Sequence, residues 1–107
     1  MRKSGPDISI YENEMTFKLI YHPDVKKIDL PKIDSKSKTI IKRAIEKRLT
    51  TQPEMYGKPL QRTLKGYWKL RVGDYRIVFK ISGSEIHILG IIHRKKIYQQ
   101  VQKRIKP

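Results

Sequence analysis

The chain contains no cysteine, which excludes disulfides and thiolate metal sites. Acidic residues are scarce as well: 10 Asp and Glu stand against 25 Lys and Arg, a formal net charge of +15. Solubility asks for much less, so the imbalance points to a polyanionic partner: nucleic acid, an anionic membrane surface or an acidic protein. Long apolar runs are missing. The longest, ILGII at 88–92, is far too short to span a bilayer. The charged N-terminus has no apolar stretch, so no secretion signal is read and the cytoplasm is the expected compartment. His22, His87 and His93 lack the spacing of a metal cluster, and no metal or other cofactor is expected. The 107 residues suffice for one domain with a modest core.

What is present divides by period. Residues 1–14 are weakly patterned and read as an N-terminal extension to a domain over 15–107. TFKLIYH (16–22) alternates as a strand does, and His22-Pro23 ends it. A short helix is predicted from Asp24 to the break at Leu30-Pro31. Asp34 or Ser35 caps a second, with Ile41, Ile45 and Leu49 four apart. Residues 50–53 stop that helix, and YGKPL reads as a loop. Strands follow over 61–72, 75–82 and 85–93, joined at Gly73-Asp74 and Gly83-Ser84. Ile97, Val101 and Ile105 predict a short C-terminal helix or tail. The order β-α-α-β-β-β, with that last helix, describes an α+β domain: a largely antiparallel twisted sheet with helices on one face.

The charges of the central hairpin are unusual. A two-residue loop at Gly73-Asp74 pairs Val72 with Tyr75, Arg71 with Arg76, Leu70 with Ile77 and Lys69 with Val78. Lys69, Arg71 and Arg76 then share one face, and Trp68, Leu70, Ile77 and Phe79 the other. Two arginines directly opposite repel. Unbroken alternation across the second turn pairs Val78 with Leu89 and Arg76 with Ile91. That puts His93 on the arginine face and Ile92 with Trp68 and Phe79. Val78, Leu89 and Ile91 are then expected on the basic side, beneath the C-terminal segment.

Such a face suits RNA cleavage by the RNA's own 2′-hydroxyl, which needs a base, positive charge on the phosphate and an acid for the leaving oxygen. A lysine starts near a pKa of ~10.4, and like charges beside it push that value down. Lys69 is one candidate base. Arg71 and Arg76 suit phosphate, since a planar guanidinium matches its oxygens. Histidine is the side chain best suited to acid–base chemistry near neutral pH, so His93 is a candidate acid or base. Tyr98 is a candidate for stacking on a nucleobase. The same cations also fit a plain solvated strand face.

Two stretches, GKPLQRTLKGYWKLRVGDYRIVFKI and IHILGIIHRKKIY, give the chain a close resemblance to the RelE/ParE superfamily of bacterial and archaeal toxin–antitoxin toxins. The likeness runs from about Thr16 to the C-terminus and is most specific at WKLRVGDYRIVF and HRKKIY. It implies one of two activities. RelE-like members are ribosome-dependent ribonucleases that cut mRNA, whereas ParE-like members poison DNA gyrase. In the resemblance, Lys69 matches a lysine of the second-strand motif, Arg71 the basic residue after it and Arg76 a phosphate-contacting arginine. His93 and Arg94 stand at the late basic or histidine position, and Tyr98 where a base-stacking tyrosine lies. The retained set favours a metal-independent mRNA endoribonuclease, with a cognate antitoxin, the ribosome and mRNA as partners and no membrane. A gyrase inhibitor and a non-enzymatic nucleic-acid-binding module are the alternatives.

Overall fold

Five strands form one sheet in the computed structural model, which describes residues 16–60 and 64–105. They are β1 (Lys18–Tyr21), β2 (Lys58–Pro59), β3 (Tyr67–Val72), β4 (Tyr75–Ser82) and β5 (Glu85–His93). Their spatial order is β1-β5-β4-β3-β2. The last three in sequence make an antiparallel meander, β2 adds antiparallel to β3, and β1 runs parallel to β5. Gly73 (φ 60°) and Gly83 (φ 58°) hold the left-handed conformation that tight hairpin turns need. The expected extension over 1–14 and part of the strand expected over 61–72 lie outside the described residues. Within them that strand starts only at Tyr67, after a turn at Gly66 (φ 88°).

The helical segments follow their local chemistry. A π-helical turn, Val25–Asp29, passes into a 3-10 turn, Leu30–Lys32, where Pro31 has no N–H to continue the ladder. Helix α1 (Ser35–Ala44) is capped by Asp34, whose Oδ2 accepts from the Ser37 N–H at 3.0 Å. It extends as a π-helical turn over Ile45–Leu49. Past it the Thr51 hydroxyl donates to the Lys47 carbonyl (2.8 Å), occupying an acceptor freed at the helix end. A short helix unforeseen in the sequence, α2 (Pro53–Tyr56), precedes β2, and α3 (Ile97–Ile105) closes the fold.

Both sheet faces are packed. On one, Ile41, Ala44, Ile45 and Leu49 cover Leu70, Ile77, Phe79, Ile86, Ile88 and Ile91. On the other, Ile97 and Val101 of α3 join Val78, Leu89, Ile92, Leu60 and Leu64. The α+β class and element order are as expected, and Val78 and Leu89 do lie under the C-terminal helix.

The register of β5 differs from the expectation. Phe79 pairs with Ile88 but Val78 with Gly90, so Leu89 is an extra, bulged residue. Beyond it each β5 side chain changes face. Ile91 now faces Ile77 in the core under α1, Ile92 lies under α3, and His93 is opposite Tyr75. The predicted pairs Val78–Leu89 and Arg76–Ile91 therefore do not form, and His93 does not share the arginine face.

A side-chain pair occupies the β5 edge at this bulge. β1 ends opposite Ile88, whose carbonyl accepts from the His22 N–H at 2.8 Å. Further along, Asp29 Oδ2 accepts from the Ile91 N–H (2.8 Å), and Arg104 Nη1 donates to the Leu89 carbonyl (3.1 Å). Arg104 also grips Asp29 with two hydrogen bonds, of 2.7 and 2.5 Å. Both side chains are buried, so this bidentate pair satisfies edge groups that would otherwise be buried without partners. A Cβ on Gly90 would fall 2.7 Å from Arg104 Nη1, which explains the glycine at this close approach.

Candidate functional site

Three guanidinium groups gather at the β3–β4 turn. Arg71 and Arg76 are directly opposite in the ladder, as the hairpin register predicts. Arg76 folds back over the turn, its Nη1 donating to the carbonyls of Gly73 and Tyr75, each at 3.0 Å. Arg94 arrives from the end of β5: its N–H donates to the Asp74 carbonyl (2.8 Å), and its Nε lies 3.8 Å from Asp74 Oδ1. Burial, and then the charges of Arg71 and Arg94, hold the Arg76 guanidinium below its ordinary pKa, against the smaller opposing pull of Asp74. It stays cationic at neutral pH, since arginine starts so high. Among the described residues the cluster has three cations and one acid, an arrangement in which an anion would relieve repulsion as well as gain hydrogen bonds.

The other predicted residues are placed as follows. Lys69 is half-buried on the same face, two positions along from Arg71, with Lys58 opposite on β2 and Val78 on β4. Tyr98 is exposed (45%) in the first turn of α3. His93 is turned away by the bulge. Its Nδ1 accepts from the Lys95 N–H at 3.3 Å, capping the 3-10 turn Arg94–Lys96, and its ring stands edge-on to Tyr75. The fold thus brings Arg71, Arg76 and Arg94 together, sets Lys69 beside them and removes His93 from their face. Asp74, which the sequence marked only as a turn residue, ties Arg94 to the hairpin. Their separation of 20 residues leaves no local pattern that could have foretold the contact.

A family model described as ParE toxin of type II toxin-antitoxin system, parDE, matches residues 19–98. The toxin RelG of Mycobacterium tuberculosis is 37% identical over 54 residues, which is 49% of this chain and 62% of that protein, less than two thirds of its length. Among solved structures, the toxin–antitoxin complex RelBE2 from Mycobacterium tuberculosis is similar at 26% identity and a TM-score of 0.69, covering 75% of this chain and 93% of that one. The RelB–RelE complex of Methanococcus jannaschii shares the fold at 24% identity and a TM-score of 0.60, covering 76% and 96%. With the family model spanning most of the sheet and helices described above, the chain belongs to the RelE/ParE superfamily of type II toxin–antitoxin toxins.

Proposed function

We propose that this toxin is a ribosome-dependent endoribonuclease acting on mRNA. The observation that carries the reading is the arginine cluster at the β3–β4 turn, which concentrates positive charge that, among the described residues, Asp74 alone offsets. In this reading a 2′-oxygen attacks the adjacent phosphorus, the bond to the 5′-oxygen breaks, and a 2′,3′-cyclic phosphate remains. Lys69 accepts the 2′-hydroxyl proton. Arg71 and Arg76 hold the phosphate oxygens as charge builds on them, and Arg94 gives the leaving 5′-oxygen its proton. Tyr98 supplies a surface for a base. Orientation comes from the ribosome, so the chain itself needs few positioning groups. The charge of +15 favours docking on ribosomal RNA. It equally suits an antitoxin whose acidic segment covers the arginines, in keeping with the antitoxin-bound state of the similar structures.

A second reading, inhibition of DNA gyrase, is favoured by the ParE description of the matching family and by the position of His93 away from the arginines. Translation of a defined mRNA, with and without ribosomes, separates the two. The nuclease reading expects cleavage within codons that needs ribosomes and disappears in Arg76→Ala. Intact mRNA with unimpaired translation, together with blocked supercoiling by gyrase, would establish the second reading instead.

A further inference from the structure

We propose that a cavity at the C-terminal end of β5 takes one nucleotide of single-stranded RNA, across the strand end from the phosphate held by the arginines. This rests on the RNA reading above, though not on cleavage.

Tyr75 and Arg76 are neighbours on β4, so their side chains leave opposite faces of the sheet. At the end of β5, His93 stands opposite Tyr75 and Arg94 follows it. One side of this strand end therefore carries Arg76 and Arg94, and the other carries Tyr75 and His93. The second pair has its ring centroids 5.8 Å apart at an interplanar angle of 79°. Both residues line a cavity of about 390 Å³ whose wall also includes Lys32, Lys95 and Lys96. The lysines come from two separate segments, the 3-10 turns before α1 and after β5.

An aromatic wall beside a group of cations is the chemistry of a base with its phosphate. The volume falls at the lower end of the ~300–1,000 Å³ usual for small-molecule sites, a size for one nucleotide rather than a folded partner. Asp29 also borders the cavity. Its two oxygens are already engaged by Arg104 and the Ile91 N–H, so its charge is offset and does not repel a phosphate. The bulge at Leu89 creates the arrangement, because it places His93 opposite Tyr75 instead of on the arginine face.

The test uses the full chain and an RNA octamer carrying 4-thiouridine, read by fluorescence anisotropy and by mapping photo-crosslinks. Lys32→Ala/Lys96→Ala is compared with Lys36→Ala/Lys47→Ala, which removes the same charge from exposed helical positions. All four lysines are exposed, so folding is not at stake. The expected result is about a tenfold loss of affinity in the first pair, less than about threefold in the second, and crosslinks to Tyr75 or His93. Equal losses in the two pairs, or crosslinks confined to other peptides, would overturn the cavity while leaving RNA recognition by the arginines standing. No RNA binding by the wild type, coupled with no ribosome-dependent cleavage, would overturn both.

Discussion

Arg104 and Arg76 place the same side chain in opposite circumstances. Arg104 is buried and its hydrogen bonds to Asp29 raise its pKa. Arg76 is only part-buried, faces Arg71 and Arg94, and is held below its ordinary value. A buried cation with a hydrogen-bonded carboxylate has its compensation inside the fold, and serves to fasten α3 to the edge of β5. Among the described residues, Arg76 has carbonyl partners and the nearby charge of Asp74 but no hydrogen-bonded carboxylate, and in the proposed function an outside phosphate supplies the compensating charge. The contrast separates a structural arginine from those proposed to act on an outside anion, in a chain where basic residues are too common for composition to do so.

Removing one partner is the strongest way to break the comparison. Asp29→Ala removes the buried carboxylate from Arg104 and leaves it the part-exposed Asp24, whose Oδ2 lies 3.6 Å from Arg104 Nε, and a loss of about 3–5 kcal/mol is expected in denaturant unfolding. Asp29→Leu/Arg104→Met, which removes both charges, is expected to recover much of that loss. Arg76→Ala should do the reverse. Activity in the translation assay is expected to fall by ~100–1,000-fold, with the unfolding midpoint almost unchanged.

A smaller effect sharpens the point. Arg71→Ala relieves the repulsion across the hairpin, so stability is expected to hold or rise by a few tenths of a kcal/mol, up to ~1 kcal/mol, while activity drops. A destabilised Arg71→Ala protein would mean that the cluster is part of the scaffold after all.

The smallest effect concerns an exposed acid. The Ser37 hydrogen bonds at the start of α1 hold Asp34 below its ordinary value of 3.8. A carboxylate with a depressed folded-state pKa contributes stability above its unfolded value and loses it as pH falls through the folded one. Asp34→Ala is therefore expected to lower Tm slightly at neutral pH. The two melting curves should converge as the solution is taken below the folded-state pKa.

The β3–β4 hairpin was legible because its signal is local: a Gly-Asp turn between alternating strands leaves one register, and Arg71 opposite Arg76 follows from it. The helix over 35–44 and its Asp34 cap were legible for a similar reason. The failure at His93 is equally specific. Unbroken alternation through ILGII assumes no extra residue, and an apolar run with hydrophobic neighbours on both faces contains nothing to mark a slip. Gly90 was the available sign, since glycine within a strand often accompanies a bulge or a close approach.

By itself the sequence determined the charge imbalance, the α+β order, the hairpin register and the opposition of two arginines, all of which depend on residues close along the chain. Only the tertiary structure decided which face His93 takes, that Arg94 joins the arginines through Asp74, and that Asp29 meets Arg104 across 75 positions. Those outcomes depend on where β1 stops and where α3 lands. They are set by the need to satisfy buried edge groups and to cover both faces of the sheet, and that need exists only once the sheet has formed.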